Sequence, residues 1–482
     1  MSGCFVTLVG YINAPMQLVF IGSGFVGTTT AAAMASFGHD VLLYDINEAR
    51  VASLSSRNRK TIDACLFENG LADLLIEHSD RITFTTDYTL VEQTLESAEA
   101  VFICVPTPSR EDGSTEMSYY QSALKKLAGA LASRNSGKQK NRVVIINKST
   151  VPVDTAKYTQ EQLDKAGAKN VGVVANPEFL VEGRAIEGNL QPTRIVVGAT
   201  SPKDFAIMRR MYAHFEGNND IPYIEVNPFE AAAGKLLANY LLFSRLMLCY
   251  DVMGRVSEQF NDVTFEAVRK IVCSDPRIGF WGFYDSIYAG GSCLEKDAKS
   301  LAHQLEVTKA NTDLVRASIG SNRRQIELFL ARVKKAMPQG AKGASVAVLG
   351  LAFKRDTNDI RNSAGPMVVD CMRRHGAAEV RVYDPGVDMV SLEAYAKETS
   401  TKRTRVIACR TAADAVRGTS TSVITTDWPE FQKLASVFVK AARAPYLIAD
   451  GRRMIAADYQ ALTKKGFTVL AVGSPLYRPT KK

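Results

Sequence analysis

The chain has 482 residues, 46% hydrophobic and 23% charged, with 59 Lys and Arg against 50 Asp and Glu and a formal charge of +9. At roughly 100–200 residues per domain this is a globular protein of two to four domains that can bury large cores. The basic residues are scattered and their densest cluster, Lys402-Arg403-Thr404-Arg405, is short, so no nucleic-acid surface is expected; a diffuse surplus suits a small anionic substrate.

Residues 1–15 fit no element and are expected to be an extension. Residues 1–22 are mildly apolar but lack the basic start of a signal peptide, and Met16 reads as an alternative start. Up to about residue 220, strand-like and helix-like runs alternate. Gln17–Ile21 reads as a strand, 27–37 as a helix and 41–44 as a strand, with further apolar runs at 101–105, 143–146 and 171–174. Such alternation predicts a parallel sheet covered by helices. Residues 221–335 read as helical. No proline interrupts 229–260, and Leu237, Tyr240, Leu241, Ser244, Leu248 and Val252 fall near helical spacing. Apolar residues exceed what one face needs, so a long helix buried on several sides is expected, suited to joining domains and to a dimer interface. Its apolar run, 236–250, contains Asn239, Ser244 and Arg245 and reads as too short and too polar to span a membrane.

From 336 to 482 the alternation returns, with Ser345–Leu349 as a strand, 363–374 as a helix and 380–383 as a strand. Both regions have a second strand ending in Tyr-Asp (Tyr44-Asp45 and Tyr383-Asp384). The echo is expected to stop at the phosphate loop, where Gly350-Leu351-Ala352-Phe353-Lys354-Arg355 stands in place of a glycine motif. The expected fold is therefore α/β: two Rossmann-like doubly wound domains, 1–220 and 336–482, joined by a helical central domain, 221–335, with a long connecting helix.

Gly22-Ser23-Gly24-Phe25-Val26-Gly27 follows a strand and opens a helix. The first glycine permits a tight turn, the second lets the backbone approach a pyrophosphate, and the third lets helix and strand pack closely. The helix start offers amide donors to phosphate. Asp45, closing the next strand, should accept from ribose hydroxyls and favour NAD over NADP, although the nearby Arg50 could greet a phosphate.

Eight cysteines stand singly, at 4, 65, 104, 249, 273, 293, 371 and 409, with no CxxC spacing, and the five histidines lack ligand spacing. Neither a metal site nor a disulfide framework is expected, and the chain reads as reduced and cytoplasmic. One cysteine has a distinctive setting, Gly290-Gly291-Ser292-Cys293-Leu294-Glu295-Lys296-Asp297. Ser292 and Glu295 have capping-box spacing, which predicts a helix starting at Ser292 with Cys293 in its first position. Helix starts favour the nucleophilic thiolate. The glycines would allow close approach of a substrate, and Asp297 lies one turn on. A small buried cysteine at a helix start is the bland alternative. Lys235 and Asn239, one turn apart, could steady an oxyanion, or be a solvated lysine and a surface amide. Residues 176–183 read as a short helix capped by Asn176 and stopped by Gly183, with Glu178 and Glu182 on one face. Either acid could serve as a general base, or both could simply favour the helix dipole.

Taken together these stretches resemble the UDP-glucose/GDP-mannose dehydrogenase family. The matching segments are GSGFVG (22–27), VPTP (105–108), KSTVP (148–152), NPEFLVEG (176–183), GKLLANY (234–240), DPRIG (275–279), GGSCLEKD (290–297), GLAFKRDTNDIR (350–361) and ADGRR (449–453). They cover nearly the whole chain after Met16. The resemblance implies an NAD-binding first domain and a UDP-sugar-binding third domain. NAD would lie on Gly22, Gly24, Phe25, Val26, Gly27, Asp45 and Arg50. Further contacts would come from Val105, Pro106, Thr107 and Pro108, from Ser149, Thr150 and Val151, and from Glu182, Lys296 and Arg361. The sugar nucleotide would meet Glu178, Phe179, Leu180, Glu182, Lys235 and Asn239. It would also meet Arg277, the loop from Tyr284 through Tyr288 to Gly290, and Phe353, Lys354 and Arg452. Arg277 would reach the neighbouring subunit's site, which implies at least a homodimer.

The implied reaction is a four-electron oxidation of UDP-glucose to UDP-glucuronate. Asp297 and Lys235 organise a water that takes the C6 hydroxyl proton. Cys293 then holds the sugar as a thiohemiacetal and a thioester, Glu178 and Thr150 direct the hydrolytic water, and Lys235 and Asn239 steady the oxyanions. Alternatives are the same chemistry on another nucleotide sugar such as GDP-mannose, a two-electron hydroxyacid dehydrogenase that does not need Cys293, and a non-catalytic nucleotide-binding protein. The chain departs from the family pattern in the loop 284–289 and at Glu295, where proline or glutamine is usual. Ser292 before the cysteine resembles the glucose and mannose members, and 350–361 resembles the UDP-glucose branch.

Overall fold

The computed structural model describes residues 14–134, 141–260 and 262–479. The expected extension lies outside them except for Ala14 and Pro15. The chain forms two compact units, one of residues up to Pro108 with Thr115–Lys235, the other of Ser109–Ser114 with Leu236 onward.

The first unit is built on eight strands: β1 (Gln17–Ile21), β2 (Asp40–Tyr44), β3 (Ile82–Thr85), β4 (Ala100–Ile103), β5 (Val143–Asn147), β6 (Val171–Ala175), β7 (Ile195–Gly198) and β8 (Tyr223–Val226). Their order is β3-β2-β1-β4-β5-β6-β7-β8, parallel except where β6 meets β7. Strands β4, β5 and β6 are buried at every residue, as a sheet with helices on both faces requires. This is why they appear in the sequence as unbroken apolar runs. The order reverses between β1 and β4, and ligands of such sheets bind outside the strand ends at that reversal.

The second unit begins with helices and ends in a second sheet. Its strands are β9 (Ser345–Leu349), β10 (Glu379–Tyr383), β11 (Arg405–Ala408), β12 (Thr421–Ile424), β13 (Tyr446–Asp450), β14 (Phe467–Ala471) and β15 (Leu476–Tyr477), in the order β11-β10-β9-β12-β13-β14-β15. The first six repeat the order of the first six strands of the first sheet, and β15, antiparallel to β14, stands where β7 does. Helices Phe265–Cys273, Leu294–Val307 and Asp313–Ala336 precede it. The fold is thus α/β with two doubly wound parallel sheets and a helical central region.

The internal echo reaches further than expected. Gly22 and Gly350 both have positive φ, +106° and +105°. Each donates its amide to the tyrosine carbonyl at the end of the neighbouring strand, Tyr44 or Tyr383, at 2.8 Å. Asp45 Oδ2 accepts from Ser23 N at 2.7 Å, and Asp384 Oδ2 from Leu351 N and Ala352 N at 2.6 and 2.9 Å. Each carboxylate also takes the amide two residues on, that of Asn47 or Gly386. A Cβ on Gly27 would lie 2.0 Å from Gly22 O, and one on Gly365 2.4 Å from Gly350 O. Gly365 is thus the counterpart of Gly27. The expectation that the echo stops at the phosphate loop is corrected: its two close-packing glycines persist, separated by ten extra residues.

The long helix runs over Pro228–Gln259 with a π-helical segment at Leu248–Met253. It is longer than the apolar run read from the sequence and, by length and composition, long enough to cross a membrane; half of its most apolar window is buried in the protein. Tyr240, Phe243, Met247, Cys249 and Met253 enter a core with Phe265, Phe283 and Ala298. Leu237, Leu241, Leu248, Val252, Val256 and the adjoining Phe260 are instead 39–61% exposed. The expectation of burial on several sides is therefore corrected, and the surplus apolar residues form a stripe on the open face.

Gly365→Ala should force the second phosphate turn off its helix. The expected cost is about 1–3 kcal/mol, the range for overpacking, read as a lower midpoint in chemical denaturation. An unchanged midpoint would show that the turn can yield.

Candidate active site

In the first unit, β1 ends in the Gly22 turn and a helix starts at Phe25. A Cβ on Gly22 would meet Cys104 O at 2.6 Å, whereas one on Gly24 would meet nothing within 4 Å. The turn therefore packs on the end of β4 while leaving open space over Gly24. Asp45 is nearly buried. Its Oδ2 accepts from both Ser23 N and Ser23 Oγ, and its Oδ1 from Asn47 N. A carboxylate oxygen has two lone pairs, so Oδ1 keeps one for a ribose hydroxyl. Arg50 Nη1 lies 3.8 Å from Asp45 Oδ2. Thr107 Oγ1 donates to Thr150 O at 2.8 Å and Ser149 Oγ to Val105 O at 2.7 Å, which stitches 105–108 to 149–151. Pro106 and Pro108 are exposed, Val151 buried. These features fit a dinucleotide: an open glycine, a helix start and a ribose acceptor at the sheet's reversal.

The expected helix at 176–183 is absent. Residues 176–180 form an extended loop, followed by a turn at Glu182 and Gly183, and the helix starts only at Ala185. Asn176 cannot cap because its side chain is committed elsewhere. Asn176 Oδ1 accepts from Lys148 Nζ at 2.9 Å and Tyr212 OH at 2.7 Å, and its Nδ2 donates to Val196 O. Buried Glu68 takes the amides of Gly183 and Ala185 at 2.7 and 3.0 Å. Nothing in the local sequence announces Glu68, which lies more than a hundred residues away. Glu178 and Glu182 consequently share no helical face.

Glu178 instead pairs with Lys235 at 3.0 Å and accepts from Leu180 N at 2.6 Å. Burial alone would raise its carboxyl, but Lys235, the Leu180 amide and Lys148 hold it below the ordinary range. Phe179 and Leu180 are half-buried beside it; Arg194 lies 3.6 Å over the Phe179 ring. The alternative of a solvated Lys235 is excluded, since the residue is 5% exposed. Lys148 is also buried, and burial pushes its ammonium down to about 8.

In the second unit Cys293 is exposed. It is the N-cap of helix Leu294–Val307, one position earlier than expected. The expected capping box does not form because Glu295 is drawn away. Glu295 Oε2 accepts from Tyr288 OH at 2.7 Å and Asn322 Nδ2 at 3.0 Å, while Oε1 meets Lys299 Nζ at 2.7 Å. Burial would raise this carboxyl; Lys299, Tyr288 and Asn322 bring it below the usual range. Tyr288 is therefore a core residue, its hydroxyl also 2.7 Å from Asn362 Oδ1, rather than a side chain presented to substrate. Asp297 is fully buried; it accepts from Asn239 Nδ2 and Lys296 Nζ at 2.6 Å each, and its amide donates to Cys293 O. Asn239 is thus a buried anchor of this helix, and Lys296 is engaged with Asp297.

The paired glycines serve packing. A Cβ on Gly290 would meet Asn362 O at 2.7 Å, and one on Gly291 the Phe353 ring at 2.9 Å. Gly291 N donates to Asn362 O, and Asn362 Nδ2 to Gly291 O, each at 3.2 Å. Phe353 and Asn362 both lie in the ten-residue insertion. What approaches the glycines is this chain's own turn, which corrects their expected use. Lys354 lies 5.8 Å over the Phe353 ring. Arg452 is bonded to Ser286 Oγ at 2.8 Å and Asp427 at 3.0 Å. Arg361 and Arg277 are highly exposed, forked onto Asp359 and Asp275. Tyr284 is partly exposed beside Phe280 and Trp281.

A dinucleotide cradle on one doubly wound sheet, and an exposed cysteine whose preceding glycines pack on the first turn of another, fit the class of NAD-dependent oxidoreductases. Residues 16–216, 230–324 and 347–457 match, in turn, the NAD binding, central and UDP binding domains of the UDP-glucose/GDP-mannose dehydrogenase family. The chain belongs to that family, and its activity is that of a nucleotide-sugar 6-dehydrogenase. It is 30% identical to a UDP-glucose 6-dehydrogenase of Pseudomonas aeruginosa over 95% of this chain and 98% of that one. It is 32% identical to one of Haloferax volcanii over 93% and 100%. A solved UDP-glucose dehydrogenase from Pyrobaculum islandicum superposes with a TM-score of 0.83 at 26% identity, covering 97% of this chain and 100% of that one. A UDP-D-ManNAc dehydrogenase from Pyrococcus horikoshii shares the fold, with a TM-score of 0.76 at 24% identity over 95% and 99%.

Lys148→Met should change how stability depends on pH. Above about 8 the folded lysine gives up its proton, whereas the unfolded chain keeps it up to 10.5. The unfolded state then binds more protons, so this group makes stability rise with pH across that window. Denaturation midpoints of wild type should rise relative to Lys148→Met between about pH 8 and 10. Parallel profiles would place the proton elsewhere.

Proposed function

We propose that the enzyme oxidises UDP-glucose to UDP-glucuronate, a four-electron reaction carried by Cys293. The observation that carries this reading is an exposed thiol at a helix start, anchored by the buried Asp297–Asn239 contact. The relatives named UDP-glucose 6-dehydrogenases support the choice of sugar.

The Gly22–Gly27 turn and Asp45 would hold NAD, which would supply the hydride acceptor for both oxidations. Asp297 and Lys235 organise the water that receives the C6 hydroxyl proton. The sulfur of Cys293 adds to the aldehyde carbon, and the resulting thiohemiacetal is oxidised to a thioester. Lys235 and Asn239 offer N–H donors to the oxyanions, where buried charge–dipole contacts act strongly. Glu178, ionised through its pairing with Lys235, takes a proton from the hydrolytic water, and Thr150 orients that water. Covalent retention keeps the aldehyde from escaping. Phe353, Lys354 and Arg452 belong to the unit that binds the nucleotide.

We also propose that two copies associate through the apolar stripe of the long helix. Contiguous exposed apolar surface of this kind marks an interaction site. The stripe suits an isologous contact, and Arg277, whose side chain is 87% exposed, would exchange its pairing with Asp275 for a contact on the neighbouring copy. The seven described free cysteines are consistent with a reducing, cytoplasmic setting.

Wild type should release two NADH per UDP-glucose consumed, and Cys293→Ser should abolish steady-state acid formation. More than about tenfold preference in kcat/KM for another nucleotide sugar would replace the substrate, and full turnover by Cys293→Ser would remove the thioester. In light scattering, wild type should have at least twice the chain mass, and Leu241→Asp with Val252→Asp should run as a monomer. An unchanged mass for the double variant would move the interface elsewhere.

A further inference from the structure

On a doubly wound sheet a dinucleotide lies over the turn after the first strand and sets its adenosine ribose on the acid that closes the second. The two sheets of this chain share that acid, Asp45 or Asp384, and its bond to the amide two residues on, that of Asn47 or Gly386. What stands beside that amide differs. Asn47 borders an open cavity of about 600 Å³, lined also by Arg50, Ser53 and Lys60. Pockets for small ligands run to about 300–1,000 Å³, so the corner beside Asp45 has room for one.

The corresponding corner beside Asp384 is filled by Trp428. A Cβ on Gly386 would collide with Trp428 Cζ2 and stand 2.6 Å from Cη2, with Thr357 O 3.0 Å away. The indole also reaches the Asp384 carboxyl: burial raises that group, and three backbone amides and Trp428 offset part of the rise. Trp428 lies between β12 and the short helix Pro429–Lys433, in a loop tied down at several points. Thr425 Oγ1 donates to Gly350 O and Thr426 Oγ1 to Ala352 O, each at 2.6 Å. Asp427 Oδ1 accepts from Arg355 N at 3.1 Å, and Tyr383 OH donates to Glu430 at 2.8 Å. The equivalent loop of the first unit, 105–108, is bonded instead to 149–151, after β5.

Indole and purine are both fused bicyclic rings of similar size. We propose that Trp428 is a specificity-determining residue of the UDP binding domain: its indole occupies the slot that an adenosine would take on the second sheet, and so keeps adenine nucleotides off the second turn. NAD and ADP are thereby confined to the first unit, although the chain carries two turns braced in the same way. UDP, whose base is a single ring, lies elsewhere along the turn, and the indole does not hinder it.

The test compares full-length wild type, Trp428→Ala and Trp428→Leu by equilibrium dialysis with labelled ADP, each variant first shown to unfold cooperatively. Wild type should bind one ADP per chain, at a site that excess UDP does not clear. Trp428→Ala should bind a second ADP that UDP displaces, at least about tenfold more tightly than wild type does at any UDP-sensitive site, with the Kd of UDP little changed. Leu refills part of the slot, so Trp428→Leu should gain less than Ala, and it carries the test should Ala fail to fold. A UDP-displaceable second ADP already present in wild type, or none in a folded variant, would overturn the assignment. A loss of UDP affinity as large as the gain for ADP would also overturn it, by making the indole a contact of UDP itself.

Discussion

At the reversal of each sheet the same contact recurs: a carboxylate at the end of the neighbouring strand takes the amide hydrogens of the phosphate turn. Asp45 does so for Ser23, and Asp384 for Leu351 and Ala352. Buried backbone amides need a hydrogen-bond acceptor, and these carboxyl groups supply it under the turn, shielded from water. They draw the turn down onto the next strand until a side chain no longer fits. Gly22 passes 2.6 Å from Cys104 O by the measure of an added Cβ, and Gly350 comes still closer to Thr426 Oγ1. The glycines follow from the brace as much as from any ligand, which is why they survive in a second sheet whose turn has a different length.

A second theme is charge buried in small, complete groups. Glu178 and Lys235 satisfy each other, with the Leu180 amide as a third partner. Lys148 is held by Asn176, which also receives Tyr212. Such groups are expensive to leave half-made, so they constrain the loop that carries them. The 176–183 segment has no regular structure, yet Asn176, Glu68 and Lys235 tie it down from three directions. Cys293 is the contrasting case: an exposed side chain whose surroundings, Asp297 and Asn239, are buried and mutually bonded.

Much of this was legible in the sequence, for identifiable reasons. Fully buried parallel strands leave continuous apolar runs, so β1, β2, β4, β5, β6 and β9 lie within a residue or two of their expected places. The Gly22 turn was readable because strand, glycines and acidic residue sit within thirty residues of one another. What stayed hidden was set by distant partners. Asn176 looks like a helix cap until Lys148 and Tyr212 claim it. Ser292 and Glu295 look like a capping box until Tyr288 and Asn322 pull the glutamate away. Tyr288 and Glu295, each a departure from the family pattern, prove to be bonded to each other. The counterpart of Gly27 was missed because ten extra residues part it from Gly350.

Those ten residues carry a further implication. Phe353 and Asn362 rest on Gly291 and Gly290, two and three positions ahead of Cys293. The loop that leads to Cys293 and the rim of the second sheet are therefore packed against each other. A change that reshaped this rim would shift Cys293 in the same stroke. Ligand preference in this chain is thereby easiest to alter at residues beyond the turn, where a side chain can change without moving Cys293.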